Sequence, residues 1–255
     1  MSDTIFMIHG MWGGSWYWEN YVNFFSEKGY HCVTTTLRYH DITPTDTPDP
    51  RLGTTRLQDY AADLEAEIKA LDGDPIIMGH SMGGLLAQML GSRGLGSRLI
   101  LLTPAAPAGI LALTPSVVRS FLSVMTRWNW WNKPTRQTFG EAAYSMLHLF
   151  PETEQRAVYD RFVYESGRAT FEIGFALLDR SKGSRVDDNR VTAPMLVIGG
   201  KQDRITPVGS IRKIAKKYNA DYQEFPDHAH WVVGEPGWQE VAEYVAGWLD
   251  EKRDA

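Results

Sequence analysis

Gly79-His80-Ser81-Met82-Gly83 stands between an apolar run, Pro75-Ile76-Ile77-Met78, and a helix-like segment, Leu85-Leu86-Ala87-Gln88-Met89-Leu90. A G-x-S-x-G stretch in that setting forms a sharp strand-to-helix turn, with the serine strained and the flanking glycines leaving room for neighbouring backbone. Such a turn lifts the Ser81 hydroxyl clear of the sheet edge. It also aims the backbone N–H of Met82, at the helix start, toward the place where negative charge develops on an attacked carbonyl. A serine hydroxyl is a weak nucleophile near neutral pH, so Ser81 needs a base, an acid to orient that base, and a second oxyanion donor.

The surrounding chain has α/β order. Strand-like runs at Thr4–Ile8, His31–Thr36, Ile76–Met78, Arg98–Leu102, Met195–Ile198 and Tyr222–Phe225 alternate with amphipathic stretches. One of these stretches carries Leu57, Tyr60, Ala61, Leu64, Ile68 and Leu71 near the helical period, with Thr55 and Gln58 spaced as a capping box. Short strands separated by helices predict right-handed crossovers and a mostly parallel sheet of about six strands with helices on both faces. After Thr103-Pro104-Ala105-Ala106-Pro107 the alternation stops until about Arg190. This predicts a core of residues 1–107 and 191–255 with an inserted helical cap, 108–190, of three or four helices. Two of them start at Thr114-Pro115 and Phe150-Pro151-Glu152, with proline at the first helical position. Trp128, Trp130, Trp131, Phe139, Tyr144 and Phe150 make its first half aromatic, as a lid over an apolar pocket requires. Most of these rings are expected in the cap's own small core, with Trp12, Trp128 and Trp131 as pocket-lining candidates. The proline-rich stretch Thr43 to Asp49 reads as a surface loop.

In open parallel sheets ligand chemistry gathers at the carboxyl ends of strands, so partners of Ser81 belong just after later strand-like runs. Asp203 follows Pro194-Met195-Leu196-Val197-Ile198-Gly199-Gly200, and His228 and His230 follow Tyr222-Gln223-Glu224-Phe225. The chain order Ser, Asp, His is the one this architecture uses. The histidine would take the serine proton while Asp203 holds the imidazole tautomer. Spacing alone does not choose between His228 and His230. The His-x-His pair also has the spacing of two metal ligands, yet no third ligand cluster accompanies it. The turn Ile8-His9-Gly10-Met11-Trp12-Gly13-Gly14 offers the second oxyanion donor at the Met11 N–H, with His9 bracing the loop. It has neither the G-x-G-x-x-G nor the G-K-[ST] pattern of a phosphate cradle. His31, His40 and His148 read as surface or packing residues.

Composition narrows the rest. The 255 residues are 43% hydrophobic and 22% charged with a net charge of −5, which excludes the basic footprint of a nucleic-acid or anionic-membrane binder. No apolar run approaches the roughly 20 residues of a membrane helix, and Met1-Ser2-Asp3-Thr4 enters the first strand with no basic leader, so a cytoplasmic setting is expected. The lone Cys32 reads as a small buried hydrophobe.

With these residues in hand, the chain resembles the α/β-hydrolase superfamily over nearly its whole length, in the branch with a His-Gly-x oxyanion turn and a helical cap. Phe6–Gly10 is similar to the family's first shared strand and oxyanion turn, Gly79–Gly83 to its nucleophile elbow, and Gly200–Asp203 to its acid turn. His230-Trp231 through Glu235-Pro236 is similar to its histidine loop. In related sequences the catalytic histidine stands five residues before a Glu-Pro pair, which selects His230. The resemblance implies a Ser81–His230–Asp203 triad and an oxyanion hole of Met11 and Met82 N–H groups. The leading expectation is a cofactor-free serine hydrolase of small-molecule carboxylic esters, with the aromatic lid favouring apolar acyl or alcohol groups. The first strand begins almost at the N-terminus, as in compact members similar to plant methyl esterases and hydroxynitrile lyases. Leu37-Arg38-Tyr39-His40-Asp41 replaces the family's Asp-x-x-Gly-x-Gly loop and is expected to shape a different pocket wall. The same triad serves lactone or amide hydrolysis, or a hydroxynitrile-lyase reaction favoured by Lys201 or Lys213 over the pocket. A non-enzymatic receptor on the scaffold is the alternative of another class.

Overall fold

The computed structural model describes residues 3–253, so the Met1-Ser2 start lies outside the described residues. Six parallel strands form one sheet: β1 (Thr4–Ile8), β2 (His31–Thr34), β3 (Ile76–His80), β4 (Arg98–Leu102), β7 (Met195–Gly200) and β8 (Asp221–Phe225). Their order across the sheet is β2-β1-β3-β4-β7-β8. The four inner strands are buried almost without interruption, whereas the edge strands β2 and β8 are half-exposed. That burial explains their unbroken apolar sequence: an inner parallel strand is covered on both faces. Cys32 lies on edge strand β2 and is only half-buried, a correction to the expectation that it is enclosed.

The helices around the sheet are α1 (Glu19–Glu27), α2 (Leu57–Lys69), α3 (Met82–Gly91), α9 (Val208–Tyr218) and α10 (Trp238–Glu251). Every residue of α3 is buried, and its only polar side chain, Gln88, is satisfied by the Gly84 and Ala105 carbonyls and the Tyr218 hydroxyl. The α2 start differs from the expected Thr55–Gln58 box. The helix begins at Leu57, the Arg56 N–H donates to the Asp59 carboxylate at 2.8 Å, and the Leu57 N–H donates to Glu172 at 2.9 Å.

Between β4 and β7 the chain folds as α4 (Pro115–Ser120), α5 (Leu122–Met125), α6 (Phe139–Ser145), α7 (Glu152–Tyr159) and α8 (Gly167–Gly174). Two short antiparallel strands, β5 (Pro134–Thr135) and β6 (Glu165–Ser166), accompany them. There are thus five helices and a strand pair where three or four helices were expected. Thr114 caps α4 with Pro115 at its first position, but α7 starts at Glu152, one residue beyond Pro151. No helix among the described residues is long and apolar enough to cross a membrane.

Candidate active site

Ser81 stands between β3 and α3 with φ 56° and ψ −118°, a conformation that L-residues rarely adopt and that costs on the order of 1–3 kcal/mol. Backbone bonds hold it there. Its N–H donates to the Leu102 carbonyl on β4 at 3.0 Å, and its carbonyl accepts from Gly84, Leu85 and Ala105. The flanking glycines are required by close approach. A Cβ on Gly79 would lie 2.2 Å from the Gly83 carbonyl oxygen, and one on Gly83 would lie 2.1 Å from that of Ile8.

The loops after β7 and β8 meet behind this turn, joined by hydrogen bonds from the Lys201 N–H to the Phe225 carbonyl and from the Gln202 N–H to the His228 carbonyl. His230 Nδ1 lies 2.7 Å from Asp203 Oδ2. Asp203 Oδ1 accepts the N–H groups of Ile205 and Thr206 at 2.8 Å each, so this carboxylate both closes its own turn and holds the imidazole. His230 Nε2 is buried with no hydrogen-bond partner, Ser81 Oγ included. His228 faces elsewhere. Its Nδ1 lies 2.9 Å from Glu235 Oε1, which also accepts the Ala229 N–H at 2.8 Å. Burial pulls the His228 imidazole down in pKa, but the Glu235 carboxylate outweighs it and the net shift is upward. The two histidines therefore serve different carboxylates, and no group of three or more His, Cys, Asp or Glu side chains among the described residues is arranged to hold a metal ion.

The turn after β1 is ordered by His9. Its Nδ1–H donates to the Gly10 carbonyl at 2.7 Å while its Nε2 accepts the Leu37 N–H at 3.1 Å, which fixes a neutral tautomer. Burial lowers its pKa from its ordinary value near 6.5 to about 3, helped by repulsion from His40 and opposed by the Gly10 carbonyl. The Gly10 carbonyl and the Met11 N–H belong to one planar trans peptide, so holding the oxygen turns the N–H the opposite way. The same reasoning applies to the Ser81–Met82 peptide, whose oxygen takes three donors. The Tyr17 hydroxyl fixes the next peptide through the Met11 carbonyl at 2.6 Å.

Ser81, His230, Met11 and Met82 all line one cavity of about 440 Å³. No Asp, Glu, Lys or Arg contributes to its wall. Lys201 and Lys213 are exposed and absent from it, which removes the feature that would have favoured a lyase. Of the expected pocket rings, Trp12 lines the cavity. Trp128 is 84% exposed, and Trp131 packs edge-on against Trp128 and Trp130 instead of facing the cavity. The lining tryptophan of that run is Trp130, set against Phe171 and Phe175. Asn129, left-handed at φ 58°, precedes the tight turn Trp130–Asn132. Leu37–Asp41 does not reach the cavity wall. Instead His40, buried, approaches Glu165 at 3.1 Å, and Glu165 also accepts from the Tyr60 hydroxyl at 2.8 Å and the Ser166 N–H at 2.6 Å. His148 is half-buried and His31 exposed.

Several contributors escaped the sequence reading. The Thr206 hydroxyl lies 2.6 Å from Asp203 Oδ2, 3.1 Å from His230 Nδ1 and 3.1 Å from the Thr103 carbonyl. The His230 carbonyl accepts from His80 Nε2 at 2.8 Å and from the Thr103 hydroxyl at 3.0 Å. His80 occupies a variable position of the elbow motif, and Thr206 belongs to no motif that would single it out.

The family model described as alpha/beta hydrolase family matches residues 5–244. Similar solved structures include a methylesterase from Arabidopsis, MES16, at TM-score 0.72 and 12% identity, covering 97% of this chain and 99% of that one. A pyrethroid hydrolase from Sphingobium faniae JZ-2 aligns at TM-score 0.71 and 17% identity over 100% of both chains. A monoacylglycerol lipase from Paleococcus ferrophilus aligns at TM-score 0.68 and 19% identity, over 96% of this chain and 93% of its own. At such identities the likeness is one of fold.

Proposed function

The chain belongs to the alpha/beta hydrolase family, and from that premise we propose that it is a cofactor-free serine hydrolase that cleaves carboxylic esters through an acyl-enzyme. His230 Nε2 takes the Ser81 proton as Oγ attacks the ester carbonyl, and the carbonyl electron pair moves onto oxygen. The Met11 and Met82 N–H groups receive that oxyanion, each contributing about 3–4 kcal/mol to the transition state. Collapse breaks the C–O bond, and the His230 proton leaves with the alcohol. Water then repeats the sequence on the acyl-Ser81 with His230 as base, releasing the acid and restoring the hydroxyl. Asp203 holds Nδ1–H throughout and stabilises the imidazolium. Residues 108–190 serve as the cap over residues 1–107 and 191–255.

One observation carries this reading: a strained serine and an imidazole anchored on its far side by a buried carboxylate open onto the same uncharged cavity. Ser81 Oγ and His230 Nε2 are not hydrogen-bonded in the free protein and come into contact when substrate excludes water, as catalytic contacts commonly do. The wall without charge supports a neutral, apolar ester, and the esterase neighbours agree with the bond type. The experiment is Ser81→Ala together with fluorophosphonate labelling. Loss of about six orders of magnitude in kcat and loss of the label are expected. Undiminished turnover by the variant would refute the assignment.

A further inference from the structure

The cavity does not close over Ser81. Five large apolar side chains of its lining are open to solvent: Leu111 at 66%, Leu113 at 45%, Val118 at 38%, Leu177 at 86% and Leu178 at 69%. They come from two separate stretches, one running from the end of β4 into α4 and the other following α8, yet they meet at one mouth. Singly exposed leucines are ordinary, but a rim of them continuous with a pocket marks a surface that something apolar covers. Between that rim and Ser81 no ionised side chain interrupts the wall, so a charged limb would lose its hydration there without gaining a partner.

We propose that the substrate is a neutral ester with one long apolar limb, which lies along this wall and emerges between the rim leucines. Leu111, Leu113, Val118, Leu177 and Leu178 then set the preferred limb length. This rests on the ester-hydrolase reading above. At about 30 Å³ for each water-sized group, a cavity of 440 Å³ holds on the order of 15 non-hydrogen atoms. An ester with a limb of roughly ten carbons therefore spans the cavity from Ser81 to the rim leucines, and further length passes beyond them. A short ester would leave most of the wall uncovered.

The test uses the purified full chain with methyl esters of butanoic, octanoic and dodecanoic acids and with the matching alkyl acetates, all below their aggregation limits. In one of the two series kcat/KM should rise about fourfold per methylene from four to eight carbons, the gain expected for each buried methylene. The octanoate analogue carrying a terminal carboxylate should fall at least about 100-fold below methyl octanoate. The L177S/L178S double variant changes two exposed positions, so its melting temperature should match that of the parent. It should lower the ratio of long- to short-chain kcat/KM about tenfold in the favoured series. A flat or falling length dependence in both series, a carboxylate substrate as good as the neutral one, or an unchanged ratio in the double variant would each overturn the proposal. Failure of the hydrolase reading looks different: no ester is turned over and fluorophosphonate leaves Ser81 unlabelled. In that case calorimetry of butanol, octanol and dodecanol with the Ser81→Ala protein decides the limb preference by itself. Affinity rising with length sustains it and equal affinities end it.

Discussion

Acid should destabilise this protein from pH 6.5 downward, well above the range in which carboxylates protonate, because two of its imidazoles are buried where a second proton is disfavoured. His9 already donates from Nδ1 and accepts at Nε2, and its folded pKa is about 3. Burial, reinforced by His230, also drives His80 well below its ordinary value, against the pull of the His230 carbonyl. The unfolded chain protonates both near pH 6.5 while the folded chain does not, so it binds more protons and stability falls as pH falls. For His9 the loss between pH 7 and pH 5 is about 2 kcal/mol, and His80 adds to it in the same direction. The His9 loss of about 2 kcal/mol alone lowers Tm by roughly 4–8 °C in a chain of this size. His40 and His228 act with the opposite sign, gaining stability as pH falls from 7 toward 6.5 and so offsetting part of the loss. Burial lowers each, but Glu165 raises His40 and Glu235 raises His228 further, so their stabilisation is complete below pH 6.5 and fades only as pH rises through their folded pKa values.

The assay is urea unfolding at several pH values from 7 to 5, comparing the parent with His9→Asn. The asparagine amide keeps a donor for the Gly10 carbonyl but cannot titrate. The variant is expected to be less stable overall, so the informative quantity is the slope. Between pH 6 and 5 it should lose one proton's worth, about 1.4 kcal/mol per pH unit. Equal slopes for the two proteins would refute the claim that His9 is buried neutral.

Thr206→Val removes the hydroxyl shared by Asp203 and His230 and should lower kcat on methyl butanoate about 10- to 100-fold, with Thr206→Ser restoring it; an unaltered kcat in the valine variant would count against this role. His230→Ala should abolish turnover by several orders of magnitude. His228→Ala should stay within about tenfold of the parent while losing about 1–3 kcal/mol of stability, because Glu235 keeps a buried carboxylate without its partner. The opposite ranking in a side-by-side assay would reverse the histidine assignment. Gly83→Ala should cost about 3 kcal/mol or more in thermal denaturation, since the clash is with the Ile8 backbone and no side chain is available to yield.

The parts of the fold legible in the sequence are those whose cause is local. The inner strands read as unbroken apolar runs because both of their faces are covered, and all six strands were placed to within about two residues of their observed ends. The elbow was legible because strand, glycines and helix are contiguous. What stayed hidden depends on residues far apart in the chain. Glu172 reaches the start of α2 from 115 positions away, so no inspection of Thr55 or Gln58 would reveal the true cap. Glu165 reads as an ordinary surface acid, yet it is buried against His40 and Tyr60, more than 100 residues distant. That Trp130, and not Trp128 or Trp131, lines the cavity was also hidden, because the stretch around left-handed Asn129 has no periodicity to give a register.

These long-range contacts also change what the segment between β4 and β7 does. Were it only a cover, its bonds to the rest of the chain would be indifferent to the turn after β1. Trp12, which follows the proposed oxyanion donor Met11, has φ 61°, a costly conformation for an aromatic residue. Its indole N–H donates to the Thr135 carbonyl at 3.2 Å, and its own carbonyl accepts the Val163 N–H at 2.9 Å. Both partners lie in that segment, Thr135 within β5 and Val163 just before β6. His9 and Tyr17 fix the donor's peptides from the core side, while Thr135 and Val163 fix the next residue from the other side. The aim of the Met11 N–H is thus determined jointly, and a change at the β5–β6 pair should appear first as a loss in kcat, because an oxyanion is met only in the transition state.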